Sequence, residues 1–403
     1  MAAEPERSTR CGIDTVEIAR IERLLRETPS EDLRKLFSAE ELRDAGEGPG
    51  RAASLAARFA AKEACLKLFP REAALGLLAP ADFSVIRDSY GAPRVVCSSA
   101  AVQALNRHRY GAIALSLSHD RTSGSAVAIA EPARVEVPWF GKFAYYCLPI
   151  RRRVVLANLR RAFGTDVSDA EIRRLAQAHY GHLLRMAGEF FSFPWRSPAR
   201  QEALVRVENV EAVRVAAARG KGILVLTGHF GNWAVSTIAG IRQFPEGHGR
   251  FHFVRRPHKP RWLEALITRR MQRATFGVLL KRGSLDAMVE RLAAGDVVVF
   301  PFDQHADRKD GIRVDFFGQP AGTFRSPAII ALATGAAVMP ASSWREPDGR
   351  HVLRFEDPLP LIECDDVDEA IRRNTQAFNA ALERLILRHP EQWWWVHRRW
   401  KAG

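Results

Sequence analysis

Two sets of residues in this 403-residue sequence have the types and spacing that catalysis requires. The first centres on His229 in "TGHFGNWAVS", between the apolar run "GILVL" and an apolar helical pattern. A histidine placed between a strand and a helix can take a proton from an acceptor hydroxyl. Five residues later stands Ala234, where we expect a carboxylate that orients the imidazole. A lone histidine is more often structural, so both interpretations stay open at this point.

The second set consists of two acids, Asp14 in the apolar run "GIDTVEI" and Glu63 in the helical pattern "RFAAKEACLK". A carboxylate within an apolar strand needs a partner, and Mg²⁺ held by two carboxylates and substrate phosphates is one solution. The basic residues that could clamp a metal-bound diphosphate are Arg58, Lys62, Lys67 and His119. An ordinary salt bridge to one of these cations is the alternative interpretation of either acid.

The elements that must position these residues fall into two predicted domains. In residues 1–134, strand-like runs and the Ala-rich helix "AASLAARFAAKEACLKLF" are mixed without strict alternation, which predicts an α+β fold. "EPARVEVP" has two prolines and no helical period, and it predicts a linker near residue 134. In residues 135–403, after two opening helices, short apolar runs alternate with helical stretches, which predicts an α/β sheet layered with helices.

Composition limits the classes of protein that fit. The chain is 47% hydrophobic and 26% charged, as is typical of folded soluble proteins. No apolar run reaches the roughly 18 residues that span a bilayer, and "MAAEPERSTR" lacks the apolar core of a signal peptide, so we expect a cytoplasmic protein. The five cysteines lack metal-type spacing and are interpreted as reduced structural thiols.

The net charge of +14 is concentrated in the second half of the chain. Residues 1–134 contain 19 Lys and Arg against 18 Asp and Glu, whereas residues 135–403 contain 41 against 28. Such a basic half can bind nucleic acid, an anionic membrane or acidic and phosphorylated partners, or it can be a solvated surface. The sequence has no nucleic-acid recognition motif, so we predict no nucleic-acid partner.

About 120 residues of the domain predicted at residues 1–134 resemble the holo-acyl-carrier-protein synthase family of 4′-phosphopantetheinyl transferases. The motifs that carry the resemblance occur in order and include "GIDTVEIARIERLL", "LFSAEEL", "LAARFAAKEACLK" and "LSLSHDRTSGSAVAIA". The resemblance implies Mg²⁺ bound by Asp14 and Glu63, with Glu63 also catalytic, and transfer of phosphopantetheine from coenzyme A (CoA) to a serine of an acyl carrier protein. Contacts to CoA are expected from Arg58, Lys62, Lys67 and His119. The family also implies a homotrimer with sites between subunits.

Residues 150–401 resemble the lipid A biosynthesis acyltransferase family. The resemblance rests on "RRRVVLANLRRAF", "LTGHFGNW", "RRPHKPRWLEAL", the long "DQHADRKDGIRVDFFGQPAGTFRSP" and the terminal "WWWVHRRWK". It implies that His229 deprotonates an acceptor hydroxyl, which attacks an acyl thioester. Asp303 is expected in the cleft, and Asn232, Arg256 and Gln304 are expected to contact the acceptor. The family's acid at the fifth position is Ala234 here, so Asp303 or another acid replaces it, the reaction is slow, or the domain only binds.

Together the two resemblances predict a bifunctional transferase, since an acyl carrier protein is the common partner of both activities. The acyl acceptor is expected to be a lipid or another hydroxyl compound. The alternative is an active phosphopantetheinyl transferase whose second domain is a non-catalytic docking module for carrier protein or membrane. The stretch "VPWFGKFAYYCLPIRRR" is too short to span a bilayer, but its aromatic and basic residues predict a peripheral contact with anionic lipid at the inner membrane. The Trp393–Trp395 cluster is interpreted as packing.

Overall fold

The computed structural model describes residues 9–401 except 89, 134, 149, 165–166, 258, 260 and 281–283. The polar opening of the chain, residues 1–8, therefore lies outside the described residues. The chain divides into two compact units, one of Met1–Arg134 with Thr165–Ala170, and one of Val135–Gly164 with Glu171–Gly403. Among the described helices, none combines the length and the hydropathy needed to cross a membrane.

The first unit has an α+β fold, as the sequence predicts. Its strands are β1 (Arg10–Glu17), β2 (Phe83–Arg87), β3 (Pro93–Cys97), β4 (Tyr110–His119) and β5 (Ser123–Pro132). Its helices are α1 (Ile18–Glu27), α2 (Ser30–Leu33), α3 (Ala39–Ala45), α4 (Arg51–Leu66), α5 (Arg71–Ala74) and α6 (Ser99–Arg107). Strands β1, β5 and β4 form an antiparallel sheet in that order, and β2 pairs with β3 in a separate hairpin.

Helix α4 packs unusually close to this sheet because small residues face each other. A Cβ atom at Gly12 of β1 would lie 2.0 Å from the carbonyl oxygen of Ala64, and one at Gly124 of β5 would lie 2.4 Å from the nitrogen of Ala57. Real Cβ atoms do not approach other atoms so closely, so only glycine fits at these two positions. The alanines on the facing side of α4 are fully or almost fully buried.

The second unit has an α/β fold, again as predicted. Its strands are β6 (Val205–Glu208), β7 (Ile223–Thr227), β8 (Phe251–Arg255), β9 (Gly277–Leu280), β10 (Val297–Pro301), β11 (Gly311–Phe316), β12 (Gln319–Phe324), β13 (Ala337–Arg345) and β14 (His351–Phe355). The seven-stranded sheet has the order β6-β14-β13-β7-β10-β8-β9, and only the β13–β14 pairing is antiparallel. Strands β11 and β12 form a separate hairpin.

Helices cover this sheet, and the last of them ends at Arg388. They are α7 (Trp139–Cys147), α8 (Arg152–Phe163), α9 (Asp169–Ser192), α10 (Pro198–Ala203), α11 (Val210–Ala218), α12 (Trp233–Ile241), α13 (Arg261–Arg273), α14 (Leu285–Ala293), α15 (Ser326–Thr334) and α16 (Val367–Arg388). The central strands β7, β10 and β13 are almost continuously buried, and β7 and β10 are also almost wholly apolar, as expected of strands with both faces covered. Strands β7 and β10 are parallel neighbours, with Thr227 opposite Pro301, so the segments that follow them emerge at the same edge.

Gly124→Ala should destabilise the first unit selectively. The new methyl group would overlap the backbone of α4, and overpacking of this kind costs about 1–3 kcal/mol in free energy of unfolding. All nine tryptophans lie beyond residue 134, so tryptophan fluorescence reports the second unit, while circular dichroism reports both. We expect an earlier transition in circular dichroism with an unchanged fluorescence transition. The control is Gly111→Ala in β4, where the Cβ would lie 3.6 Å from the nearest atom; equal losses for the two variants would contradict the close-packing argument.

Candidate functional site

His229 and Asp303 are in direct contact at the carboxyl edge of the second unit's sheet. His229 follows β7 and Asp303 follows β10. The imidazole Nδ1 lies 3.0 Å from Asp303 Oδ1, and the backbone N–H of His229 donates to Oδ2 at 2.7 Å. A Cβ at Gly228 would lie 2.8 Å from the same Oδ2, so glycine permits this approach. The carboxylate that contacts the histidine ring therefore comes from the segment after the neighbouring strand β10 and not from position 234.

Asp303 is buried, with 3% of its surface exposed, yet it remains ionised. Burial alone would raise the pKa of Asp303, but the charge of His229 and the hydrogen bonds from His229 and Trp393 outweigh it and hold the pKa at about 2. The Trp393 indole N–H donates to Oδ2 at 3.0 Å. An ionised carboxylate beside Nδ1 favours the tautomer that has its proton on Nδ1 and leaves Nε2 as the basic nitrogen. Because this pKa is lowered, the stability that it contributes is present above about pH 4 and is lost as the pH falls towards 2.

The C-terminal segment, residues 389–401, runs along the turn that carries His229. The backbone N–H of Trp394 donates to the His229 carbonyl at 3.1 Å, and Phe230 and Trp393 form an isolated β-bridge. The His229 ring packs edge-on against Trp233 at 4.9 Å between centroids. Trp393 and Trp395 are buried, so two members of the tryptophan cluster pack in the core, and Trp393 also fixes the orientation of Asp303. The sequence gives no signal for that last contact.

An ion pair between the buried Arg345 and the partly buried Glu189 supports the turn. Arg345 donates to both carboxylate oxygens of Glu189, from Nε and Nη2, at 2.6 Å each. The same Glu189 accepts from Asn232 Nδ2 at 2.9 Å, and the backbone of Arg345 exchanges two hydrogen bonds with the Gln392 side chain. The Gln392 carbonyl accepts from the N–H of Gly231. This pair, which the sequence analysis missed because its members are 156 residues apart, joins the turn to the C-terminal segment.

The position of Asn232 corrects one prediction. Asn232 was expected to contact substrate, but it is 1% exposed, and its side-chain oxygen caps α12 by accepting from the N–H of Val235. Its amide donates to Glu189 and to the carbonyl of Met186. An asparagine before the first helical residue is a favourable N-cap, which explains why the sequence has this residue here. Asn232 therefore shapes the turn and does not face a ligand.

The surroundings of the Glu189–Arg345 pair keep its neighbours uncharged. Burial would raise the pKa of Glu189, but hydrogen bonds from Arg345 and Asn232 dominate and lower it. Burial lowers the pKa of His351 to about 4, and burial together with the Arg345 charge holds the pKa of His182 well below its ordinary value. Both imidazoles are therefore neutral near pH 7, which leaves the partly buried Glu189 carboxylate as the counter-ion of the buried Arg345 guanidinium.

Arg256 and Gln304 lie in the segments that follow β8 and β10. The preceding arginine, Arg255, is held by Glu264 at 2.6 Å and by Thr268, whereas Arg256 is exposed. Gln304 is partly buried directly after Asp303. Since β8 and β10 are parallel neighbours, both residues stand at the same edge of the sheet as His229. Arg256 and Gln304 are therefore placed where an acceptor could meet them.

In the first unit the structure brings Asp14 and Glu63 together, because α4 lies so close to β1. Burial and the Asp14 charge raise the pKa of Glu63, while Lys67 and Arg20 oppose this. Lys67 Nζ donates to Asp14 Oδ1 at 2.7 Å and to the carbonyl of Ile13 at 2.8 Å. The described residues contain no cluster of three or more metal-binding side chains, so a cation here would have two protein carboxylates. His119, at the exposed end of β4, is paired with Gly124, which pairs in turn with Val16 of β1.

Arg58 and Lys62 do not belong to this site, which corrects their predicted contact with CoA. Lys62 is completely buried and donates to Glu41 Oε2 and to the carbonyl of Phe83, both at 2.8 Å. Arg58 is 4% exposed and donates to the Val85 carbonyl and to groups on Ser54 and Asp44. Both cations fix α4 against the β2–β3 hairpin. They share α4 with Glu63 but point away from it, which sequence spacing alone did not separate.

Glu189→Gln should weaken the second unit, because it leaves the Arg345 charge buried without its counter-ion. Loss of one partner of a buried ion pair costs about 3 kcal/mol or more in free energy of unfolding. Urea unfolding followed by tryptophan fluorescence measures this loss in the second unit alone. The control is Glu369→Gln, which removes an exposed helical pair with Arg372 and should cost less than about 1 kcal/mol. Similar midpoints for Glu189→Gln and the native chain would refute the supporting role.

Comparison with known proteins extends these observations. Residues 130–402 match the family described as bacterial lipid A biosynthesis acyltransferase, and residues 10–129 match the 4′-phosphopantetheinyl transferase superfamily. Over 268 residues the chain is 26% identical to the lipid A biosynthesis lauroyltransferase of Escherichia coli, and the aligned region covers 65% of this chain and 83% of that protein. Over 227 residues it is 28% identical to a phosphatidylinositol mannoside acyltransferase of Mycobacterium tuberculosis, and the aligned region covers 55% of this chain and 68% of that protein.

The first unit has relatives of its own. Over 122 residues the chain is 39% identical to the holo-[acyl-carrier-protein] synthase of Moorella thermoacetica, which covers 30% of this chain and 91% of that protein. Both resemblances seen in the sequence motifs are thereby confirmed, in the predicted order. The chain is an enzyme of two families, a 4′-phosphopantetheinyl transferase domain of the holo-acyl-carrier-protein synthase type followed by a member of the bacterial lipid A biosynthesis acyltransferase family.

Proposed function

We propose that the chain is a bifunctional transferase with functional domains at residues 1–134 and 135–403. The first domain transfers 4′-phosphopantetheine from CoA to a serine hydroxyl of an apo acyl carrier protein. The second transfers an acyl chain from a carrier-protein thioester to a hydroxyl of a lipid acceptor. The observation that carries the second assignment is the His229–Asp303 contact, because a base held by a buried carboxylate is what hydroxyl activation requires.

The carboxylates of Asp14 and Glu63 suit a divalent cation. Two carboxylates plus phosphate oxygens and water form a ligand set that Mg²⁺ accepts. Burial is the main cause that raises the pKa of Glu63, and the charge of Asp14 adds to it; a cation would offset both. When bound, Mg²⁺ would neutralise charge that develops on the diphosphate of CoA. Lys67, already at Asp14, is placed to bind a phosphate oxygen of CoA. In the strand pairing, His119 lies opposite Gly124, which is two residues along β5 from the partner of Asp14. His119 is proposed as a second contact to the CoA phosphates.

At the second site the proposed reaction is a proton-coupled attack on a thioester. Asp303 holds the proton on His229 Nδ1, and Nε2 accepts the proton of the acceptor hydroxyl as its oxygen bonds to the thioester carbonyl carbon. The resulting imidazolium is stabilised by the buried Asp303 charge. When the carbon–sulfur bond breaks, the imidazolium returns its proton to the leaving thiolate. The products are an ester and a free phosphopantetheine thiol.

The proposed acceptor is a lipid met at a membrane surface. The two acyltransferase relatives are named for lipid A and for phosphatidylinositol mannoside, both of which are lipids. Helix α7 exposes Trp139, Phe143 and Tyr146, which are spaced on one helical face and are 79%, 57% and 64% exposed. Exposed aromatics with nearby arginines suit the boundary of an anionic bilayer. We therefore place the protein in the cytoplasm, in peripheral contact with the inner membrane, with Arg256 binding an anionic group of the acceptor.

The first domain is also proposed to associate with further copies of itself. The face of the β1–β5–β4 sheet opposite α4 exposes apolar side chains, among them Ile13, which is 61% exposed, and Ile129. A half-covered sheet of this kind gains stability when another copy covers it. A homo-oligomer such as a trimer is the proposed arrangement.

Asp14→Asn and Glu63→Gln should each lower phosphopantetheinylation by about 10²-fold or more, since each removes half of the protein's charge at the proposed metal site. The assay is intact-mass analysis of an apo acyl carrier protein incubated with CoA, Mg²⁺ and the full chain. Residual activity should need more Mg²⁺ in both variants. The control is Glu72→Gln on α5, which should leave rate and Mg²⁺ dependence unchanged. Native rates in both site variants would refute the assignment of the site.

His229→Ala should abolish acyl transfer from acyl carrier protein and leave phosphopantetheinylation intact. Asp303→Asn should lower acyl transfer by up to about 10⁴-fold, the loss known for a base that is deprived of its orienting carboxylate. Ala234→Glu should bring no gain, because Asp303 already contacts the ring. The assay follows loss of the acyl mass from the carrier in the presence of lipid extract.

Asp365→Asn, an exposed position, is the control for these changes. The alternative function, a docking module without catalysis, predicts that the native chain removes no acyl group and that His229→Ala alters only carrier affinity. A gain of activity in Ala234→Glu would instead mean that Asp303 does not orient the base.

A further inference from the structure

A basic groove in the second unit lies between helix α8 and the end of the chain. The groove has a volume of about 480 Å³. Its cationic lining residues are Arg153 and Arg161 from α8 and Arg398 and Lys401 from the C-terminal segment. The remaining lining residues are apolar or amide side chains, so among the residues that the structure describes none that lines the groove is acidic. Four cations without a lining carboxylate form a site of strongly positive potential.

The groove is held in shape by hydrogen bonds, so its cations have fixed anchor points. The buried Asn158 donates from Nδ2 to the carbonyls of Trp395 and His397, at 2.8 and 2.7 Å. Arg161 Nη1 donates to the carbonyl of Trp400 at 2.8 Å. These bonds fasten the C-terminal segment along α8.

Two consecutive buried residues, Arg399 and Trp400, separate the exposed cations of the C-terminal segment. The side chain of Arg399 is fully buried and donates to Thr323 at 2.7 Å. Its neighbours Arg398 and Lys401 are exposed at the groove. The positive charge at this rim is thus presented by a segment that the core holds in place.

The same segment connects the groove to the proposed base. Trp394 hydrogen-bonds to the His229 carbonyl, and four residues later Arg398 lines the groove. Between them, His397 is near enough to feel the charges of Asp303 and His229, and burial is the main reason that its pKa falls to about 4. A linear ligand could therefore place an anionic group in the groove and a reactive group at His229. His229 follows β7 and Arg256, the proposed contact for the acceptor, follows β8, and β10 lies between these two strands. Arg256 is therefore separate from the groove residues, which belong to α8 and the C-terminal segment.

We propose that the groove formed by Arg153, Arg161, Arg398 and Lys401 binds the phosphate of the phosphopantetheine arm that presents the acyl thioester to His229. The inference rests on the proposed acyl transfer and names how its donor is recognised. The arm carries its phosphate at one end and the thioester at the other, which matches a groove and a base at the two ends of one segment. Arginine binds phosphate oxygens through paired N–H groups, so two or more arginines can account for specific recognition.

The test compares donors that differ only in the phosphate: acyl 4′-phosphopantetheine and acyl pantetheine. The native chain should show a KM about 10-fold or more lower for the phosphorylated donor, because each charge-assisted hydrogen bond favours it. The double variant Arg153→Glu/Arg398→Glu should lose this preference, because it replaces two of the four cations of the groove with acids. The control is Arg219→Glu at the end of α11, which should keep the native preference.

A binding measurement separates failure of this inference from failure of the proposed acyl transfer. Calorimetric titration of the full chain with 4′-phosphopantetheine and with pantetheine needs no turnover, and any contribution of the first unit is common to all variants. Weaker binding of the phosphorylated compound in the double variant alone supports the groove even if no acyl transfer occurs. Equal binding of the two compounds by the native chain would overturn the inference.

Two further ligands, CoA and a holo acyl carrier protein, identify the source of the phosphate. Affinities for CoA and for a holo acyl carrier protein should both fall in the double variant, because both carry the same arm. A fall for the carrier protein alone, with unchanged binding of 4′-phosphopantetheine, would mean that the groove contacts acidic protein side chains and would overturn phosphate recognition.

Discussion

The carboxylate of Asp303 accepts hydrogen bonds from the backbone and ring of His229 and from the indole of Trp393, and the second unit is arranged around this group. A buried carboxylate without donors would be costly, so the three donors must be held in place by other parts of the chain. Strands β7 and β10 supply the histidine and the acid, and the C-terminal segment supplies the indole. The Glu189–Arg345 pair then holds both in place, because Glu189 bonds to Asn232 of the turn and Arg345 bonds to Gln392 of that segment. The dyad thus depends on chain segments more than 150 residues apart.

A steric constraint has the equivalent role in the first unit. Gly12 and Gly124 let α4 approach the sheet so closely that Glu63 senses the charge of Asp14. Larger residues would separate helix and strand and with them the two carboxylates. Lys62 and Arg58, on the same helix, are used to secure that approach by bonding to Glu41 and Val85. Arg58 and Lys62 of α4 therefore stabilise the packing of the helix. Lys67, which directly follows α4, contacts Asp14 instead.

Much of this was accessible from the sequence, and the limits have physical causes. Alternation and apolar runs predicted the strands that carry Asp14 and precede His229, because strand periodicity is local. Neighbouring positions such as Lys62 and Glu63 could not be assigned to a buried or an open face, since an Ala-rich helix shows little amphipathic contrast. Asn232 was mistaken for a ligand contact because a helix cap and a binding residue have the same polar side chain. The Arg345–Glu189 pair joins β13 to α9, and no local pattern signals such a pairing.

The position of the orienting acid also bears on how the two proposed activities fit together. An acid at position 234 would lie on the helix that follows the histidine, whereas Asp303 directly follows the adjacent strand. The pairing of the two strands therefore sets the distance between the acid and the imidazole, and helix α12 does not. The phosphate that the proposed groove would bind is absent from an apo carrier protein and is added with the arm by the first reaction. A carrier would therefore acquire, in one step, both the thiol that holds the acyl chain and the phosphate charge that the proposed groove would bind. Selectivity for the modified carrier then follows from charge complementarity, without any contact that reads the carrier's own sequence.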